Sequence, residues 1–280
     1  MGLVETSRSK PDNAELETLR LRIAALENRP ALASTHSGDG AGDGLALLSP
    51  PAGLLHEVFA DEQRAAGAAL GFALGMARSH LVGGRTAILY LELVSEVQEV
   101  GMPYAHGLAS YGIDPGQLVI GRAANPALLF WAIEEAIACR SVAAVIADLA
   151  ACNRGLDFTT SRRLSLRAAA AGTSALLLRY GREREASSAQ LRWRVRPAPS
   201  RADPYDQSAP GRPRFLVDIE KRRLGGGRPA PDDTTLILDW TGHGFVAAQD
   251  RRQPAAPHRW RTAPSRPQPA TLGDRLSEAS

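Results

Sequence analysis

The spacing of apolar and polar residues changes along the chain and divides it into a helical start, an alternating middle and a strand-rich end. From residue 54 to residue 180, short apolar runs of strand length alternate with segments whose apolar residues recur three and four positions apart. This alternation predicts a parallel sheet covered by helices. Its central strand is the run Val142 to Leu149, which is apolar apart from Asp148 near its end. Ligands bind at the carboxyl ends of such strands, so Asp148 marks the edge where we expect any chemistry.

The segment after residue 180 shows strand-like runs without helices between them. These runs are Gln190 to Arg196, Arg214 to Arg222 and Thr235 to Trp240, and the last one returns through a glycine-containing turn to Val246. Without a crossover helix, consecutive strands pair antiparallel. The predicted fold is therefore an α/β domain whose mainly parallel, helix-covered sheet is extended by antiparallel strands at its C-terminal end.

Two regions flank this domain. Residues 12–28 carry one narrow apolar stripe, which predicts a helix, and residues 31–53 are rich in Gly, Ala, Ser and Asp, as in a linker. We interpret residues 1–53 as an N-terminal helix with a flexible linker, and residues 54–248 as the folded domain. Residues 249–280 hold Pro, Arg and Ala without periodicity, so we expect a disordered tail.

The formal net charge of +3 conceals a strong segregation of charge along the chain. Residues 1–150 contain 10 Lys and Arg against 17 Asp and Glu, residues 151–228 contain 17 against 7, and residues 229–280 contain 6 against 6. A basic segment of this kind is typical of a protein that binds a polyanion or an acidic protein surface.

Several classes of protein do not fit the composition. The two cysteines have neither disulfide nor zinc spacing, and the six histidines have no ligand spacing, so we expect a cytoplasmic protein without a metal. No apolar stretch reaches the roughly 20 residues that span a bilayer. A membrane role is therefore not expected.

The order of elements is that of a nucleotide-binding core with a phosphate loop, but the loop itself is missing. Such a loop needs several glycines, a lysine and a Ser or Thr. The segment Ala60 to Gly67 contains acids, one glycine and no lysine, and the whole stretch from residue 11 to residue 220 has no lysine. We expect no bound cofactor, although Arg64 remains an alternative for the missing lysine. Asp148 then has a second interpretation, as the capped end of a buried strand.

The basic segment contains the candidate binding residues. In the strand Leu191 to Arg196, alternation places Leu191, Trp193 and Val195 on a core face and three arginines on the other face. We expect that face to bind DNA or a partner protein, with a merely solvated face as the alternative. The candidate residues are Arg162, Arg163, Arg179, Arg192, Arg194 and Arg196.

Four segments resemble the ImuA (inducible mutagenesis A) family of bacteria: Tyr104 to Pro115, Trp131 to Ala136, Leu156 to Leu164, and Arg192 to Val195 with Pro197 to Ser200. The resemblance covers about residues 54–248 and implies a RecA-like fold. It places the phosphate-loop lysine position of RecA on Ala66 and the catalytic glutamate at or next to Glu92.

The resemblance implies a non-catalytic accessory protein of DNA-damage-induced translesion synthesis and mutagenesis, as in the SOS response and DNA repair. The implied partners are an ImuB-like protein related to Y-family polymerases, an error-prone replicative-type polymerase and RecA, with single-stranded DNA as a further candidate. Two other functions remain open: an ATP-dependent recombinase-like enzyme with an atypical loop that uses Arg64, and a SulA-like inhibitor of cell division.

Overall fold

A mixed sheet of nine strands forms the framework of the residues that the computed structural model describes, namely 47–95, 101–150, 156–202, 206, 209, 211–223 and 235–248. The strands are β1 (Leu55–Ala60), β2 (Ala87–Leu93), β3 (Leu118–Ala123), β4 (Val142–Asp148), β5 (Ser174–Tyr180), β6 (Leu191–Ala198), β7 (Arg214–Arg222), β8 (Thr235–Trp240) and β9 (Phe245–Ala247). The helices of this part of the chain are α1 (Ala66–Arg78), α2 (Ala105–Ser110), α3 (Pro126–Ala138) and α4 (Phe158–Ala171). Short 3-10 turns span Gln63–Ala65 and Pro115–Gln117.

The strand order is β3-β2-β4-β5-β1-β6-β7-β8-β9. Pairing is parallel from β3 to β6 and antiparallel from β6 to β9. The predicted α/β class, with a parallel core that antiparallel strands extend, is therefore confirmed. Strand β1 lies between β5 and β6, so it joins the helix-covered half of the sheet to the half that the C-terminal strands form.

The two faces of the sheet carry separate apolar cores. One core contains residues of α1 together with Trp193 and Trp240, and the other contains residues of α3 and α4. Neighbouring residues of β4 divide between them, since Ile146 belongs to the first and Val145 to the second. This division follows from the alternation of side chains along a strand. The prediction that Trp193 is a core residue is confirmed, because its side chain is fully buried.

Helix α1 lies close to the sheet because two of its positions lack a side chain. A Cβ atom at Gly75 would stand 2.5 Å from the Phe245 ring, and one at Gly71 would overlap the Tyr111 hydroxyl. The glycines therefore let aromatic rings from the C-terminal strands and from the end of α2 pack against the helix.

The packed region begins earlier than the sequence predicts. Leu47 and Leu48, which fall in the expected linker, are each 5% exposed and belong to the first core. The glycine- and serine-rich surroundings of these leucines hid their apolar character at the sequence level. The predicted helix over residues 12–28 and the predicted tail over residues 249–280 lie outside the described residues. Within those residues, no helix combines the length and the apolar character needed to cross a bilayer.

A buried histidine in β1 makes the stability of this core sensitive to acid. His56 is fully buried, and its Nδ1 accepts a hydrogen bond of 3.3 Å from Trp193 Nε1. Burial, together with a smaller contribution from nearby His80, lowers the pKa of His56 to about 3. The imidazole is therefore neutral in the folded protein, whereas in the unfolded chain it takes up a proton below its ordinary pKa of 6.5.

We expect the free energy of unfolding to fall as the pH drops from 6.5 toward 3. The slope should reach about 1.4 kcal/mol per pH unit for this one proton. Urea unfolding at pH 7.5, 6.5 and 5.5 measures it. His56→Gln should flatten the dependence, whereas His106→Gln, at an exposed position, should leave it unchanged. An equally steep dependence in His56→Gln would contradict the assignment.

Candidate functional site

A cavity of about 420 Å³ opens at the carboxyl edge of the parallel strands. Strands β2, β4 and β5 each contribute one polar side chain to it, and the first turns of α1 contribute its other side. The full lining is Gln63, Ala66, Gly67, Leu70, Tyr90, Gly101, Met102, Pro103, Tyr104, Asp148 and Tyr180. Because β2, β4 and β5 are neighbours and parallel, their carboxyl ends meet at one edge, which is where α/β sheets bind ligands.

Asp148 is the charged group of this cavity, and its side chain accepts hydrogen bonds from three donors. Tyr90 and Tyr180 donate their hydroxyl protons to Oδ2 at 3.2 Å and 3.0 Å, and the Ala150 amide donates to Oδ1 at 3.1 Å. Burial raises the pKa of Asp148, while these three hydrogen bonds oppose the increase. Burial also raises the pKa of Tyr90, and the neighbouring Asp148 carboxylate adds to the effect. The carboxyl group is thus desolvated, and three hydrogen bonds fix its orientation.

The chain between β1 and α1, where a phosphate loop would lie, forms a 3-10 turn over Gln63–Ala65. Helix α1 begins without a side chain that caps its first turn. Arg64, the alternative for the missing lysine, has a side chain that is 85% exposed, pairs with Glu62 and is not part of the cavity lining. This arrangement does not support a role for Arg64 at the carboxyl edge.

Glu92 lies on β2, at or next to the position that the sequence resemblance gives to a catalytic glutamate. Its side chain is buried, and its Oε1 accepts a hydrogen bond of 3.1 Å from Arg122 on the neighbouring strand β3. Burial raises the pKa of Glu92, and Arg122 opposes the increase. Glu92 does not line the cavity. No group of three or more His, Cys, Asp or Glu in the described part of the chain could hold a metal ion.

The expectation that Arg179 and Arg192 belong to an exposed basic face is wrong. Both side chains are buried and bind Glu57 of β1, with distances of 3.1 Å from Arg179 Nη1 and 2.8 Å from Arg192 Nη2. Ser187 donates a third hydrogen bond to the same carboxylate at 2.6 Å. The reason is the strand order, because β1 lies between β5 and β6 and places its glutamate between the two arginines.

The other two arginines of β6 are partly exposed, and both are paired. Arg194 Nε and Arg196 Nη2 approach Asp218 Oδ2 of the antiparallel strand β7 at 2.8 Å and 3.0 Å. Arg184, in the loop before β6, bridges Asp61 and Glu220 at 2.6 Å and 2.7 Å. The carboxylates of β1 and β7 therefore offset much of the positive charge that the sequence concentrates here.

The remaining two candidate arginines lie on α4, apart from the four on β5 and β6. Arg163 pairs with Glu134 of α3, whereas Arg162 is exposed and has no ion pair within the described residues. Of the six predicted residues, two are thus buried and three others pair with carboxylates, so they do not form the uniformly exposed basic face that alternation predicts. Whether any of them binds DNA or a partner stays a prediction.

Two relatives with known names match this chain. Both are described as Protein ImuA, from two strains of Caulobacter vibrioides, and each is 32% identical over 172 residues, which are 54% of this chain and 68% of the relative. No family model matches. The identity and the share of the relative that is covered decide the family. The chain belongs to the ImuA family.

A solved structure also resembles this ImuA family member. The crystal structure of the RadB recombinase superposes with a TM-score of 0.49 and 13% identity, over 75% of this chain and 97% of that protein.

Sequence reasoning missed two polar residues of the site of this ImuA protein, Tyr90 and Tyr180. The signal was present, because each tyrosine lies in the carboxyl-terminal half of an apolar run of strand length. Neighbouring parallel strands end at one edge, so polar residues at those ends were candidates to meet Asp148. The order of the strands, which alternation does not give, was needed to make β2 and β5 the neighbours of β4.

We expect Glu57→Gln to lower the free energy of unfolding by about 3–5 kcal/mol, because it removes the buried carboxylate that two guanidinium groups share. Arg192 then has no ion pair among the described residues, and Arg179 keeps its ion pair with Glu185 at 2.7 Å. Urea denaturation at pH 7.5 measures the change. Glu135→Gln is the matched control, since its half-exposed side chain pairs with Arg167 only at 3.8 Å and should cost less than about 1 kcal/mol. Equal midpoints for Glu57→Gln and the unmodified protein would contradict this role of Glu57.

Proposed function

We propose that this ImuA family member is a non-catalytic accessory protein of DNA-damage-induced mutagenesis, and that it acts in translesion synthesis through protein contacts. Family membership supports the role in mutagenesis. The observation that carries the non-catalytic part is the chemistry of the carboxyl-edge cavity. Its charged group is a carboxyl whose two tyrosine neighbours direct their hydroxyl protons toward it, and no lysine occurs between residues 11 and 220.

A nucleoside triphosphate needs hydrogen-bond donors and positive charge at this edge. Phosphate oxygens are acceptors with negative charge, and phosphate loops bind them with backbone amides and a lysine ammonium group. Here a phosphate would meet the Asp148 carboxyl group, and Tyr90 and Tyr180 already donate their protons to that carboxyl. Repulsion by the carboxylate disfavours a bound triphosphate, and no Lys, Arg or His is present among the described residues that line the cavity.

The proposed partners are an ImuB-like protein related to Y-family polymerases, an error-prone replicative-type polymerase and RecA. Protein contacts are favoured over a direct contact with single-stranded DNA because carboxylates neutralise the arginines of β6. Helix α3 offers a different surface. Trp131 on α3 is 61% exposed, and Leu128, one turn before it, is 47% exposed. Exposed aromatic side chains of this size are typical of protein interfaces.

The nucleotide part of the proposal predicts that ATP with magnesium neither binds nor is hydrolysed. Isothermal titration and a phosphate-release assay measure the two properties. The expected result is no saturable heat and no release above the protein-free blank. Micromolar affinity that Arg64→Ala abolishes, while the exposed control Arg140→Ala preserves it, would overturn the non-catalytic proposal and favour an ATP-dependent enzyme.

The partner part of the proposal predicts which proteins co-purify from cells after DNA damage. Mass spectrometry of a nuclease-treated pull-down should recover the ImuB-like protein and the error-prone polymerase. Trp131→Ala should reduce that recovery without a change in the unfolding midpoint, because the side chain is exposed. Val82→Ala, at an equally exposed apolar residue between α1 and β2, is the control. Recovery of neither protein from damaged cells would contradict the proposal.

A further inference from the structure

The cavity at the carboxyl edge has an aromatic wall. Three of the five tyrosines of the chain line it, namely Tyr90, Tyr104 and Tyr180. Tyr104 is 70% exposed and stacks on His106 with 5.1 Å between ring centroids, so it lies at the open side. Aromatic faces carry partial negative charge and attract ammonium and guanidinium groups within about 6 Å.

The inner end of the cavity presents a carboxyl group that has no counter-ion in the described part of the chain. Asp148 is 3% exposed and has no ion pair with a Lys, Arg or His among the described residues. It accepts three hydrogen bonds there, two on Oδ2 and one on Oδ1. A carboxylate has about four acceptor positions, so Oδ1 can accept one more hydrogen bond.

Several other lining residues suit the aliphatic part of a ligand. Ala66, Leu70 and Pro103 offer apolar surface. The half-exposed Met102 also lines the cavity, and its sulfur accepts a hydrogen bond from Arg122. A ligand that places a cation against the carboxylate and a short alkyl chain against these residues matches both the charged and the apolar part of the lining. An anion satisfies neither the carboxylate nor the aromatic faces.

We propose that the carboxyl-edge cavity binds a primary ammonium or guanidinium group on an aliphatic chain, as in the side chain of lysine or arginine. A quaternary ammonium group fits less well because it has no proton to donate to Asp148. This inference goes beyond the proposed function, since it names a ligand class and does not depend on which partners the protein has. The cation comes either from a free amine or from the side chain of a peptide, and the experiment separates the two.

The test uses methyl NMR of the full chain labelled at its methionines. Met102 lines the cavity, and Met76 is buried in the core, so the second signal is an internal control. Butylguanidinium should shift the Met102 signal with a dissociation constant of about 1 mM or lower. Butyltrimethylammonium should bind at least about tenfold more weakly, because the charge-assisted hydrogen bond is lost. A Gly-Gly-Arg-Gly-Gly peptide that binds more tightly than butylguanidinium assigns the cation to a peptide, and the reverse order assigns it to a free amine.

Two variants connect the signal to the site. Asp148→Asn should weaken binding of butylguanidinium at least about tenfold, since the counter-charge is lost. Gly67→Leu tests the same site without a change to Asp148. Gly67 lines the cavity, and an added Cβ atom meets nothing within 4 Å, so the variant should fold and obstruct binding. Gly107→Leu on α2 is equally unhindered, lies outside the cavity and should bind normally.

Three results would overturn the inference. They are the absence of a saturable Met102 shift with any cation, unchanged affinity in both Asp148→Asn and Gly67→Leu, and equal affinity for the quaternary probe. A separate titration with ATP and magnesium distinguishes the failures. If ATP binds in the cavity, the non-catalytic proposal fails as well, whereas if no probe binds, only the cation inference fails.

Discussion

The ion pairs of the Glu57 carboxylate connect the two halves of the sheet, and the rest of the structure depends on them. Glu57 lies on β1, between parallel β5 and β6, and it binds one arginine from each neighbour. Phe59, two residues along the same strand, lies under the guanidinium groups of Arg179, Arg184 and Arg192, with the nearest 4.0 Å from the ring centroid. Charges buried in this way cost several kcal/mol each to desolvate, and only a complete set of partners offsets that cost. The antiparallel extension is therefore joined to the parallel core by charge as well as by backbone pairing.

This network changes what the segregation of charge along the chain means. Acidic residues from the first half, Glu57 and Asp61, fold against arginines from the basic segment, and Asp218 and Glu220 of β7 complete the set. Much of the segregation is thus neutralised inside the fold and does not produce an external field for a polyanion. Arg162 on α4 is the candidate that stays exposed without an ion pair in the described residues. The pairing therefore weakens the physical basis for a broad DNA-binding face.

Each pattern in the sequence carries structural information only over the range of residues on which it acts. Alternation within one strand predicted that Trp193 is buried, and the apolar run of β4 predicted that Asp148 lies at the carboxyl edge. The same alternation placed Arg192 correctly on the opposite face, but it carried no information about what β1 and β7 place on that face. Neighbours in a sheet are set by topology, which local periodicity does not contain. For the same reason, Tyr90 and Tyr180 were not connected with Asp148.

The energetics of Asp148 connect the fold to the chemistry of its edge. The free-energy cost of desolvating a buried carboxyl group is offset either by uptake of a proton or by hydrogen-bond donors and cations. The two tyrosine hydroxyls and one backbone amide supply part of that stabilisation, and the raised pKa shows that it is incomplete. In a phosphate-binding core a lysine and a metal ion lie near this position, and both would stabilise the carboxylate. This chain has no lysine there, so the remaining stabilisation is available to a cation that enters from outside. The same absence of lysine that disfavours a bound phosphate therefore favours a bound cation.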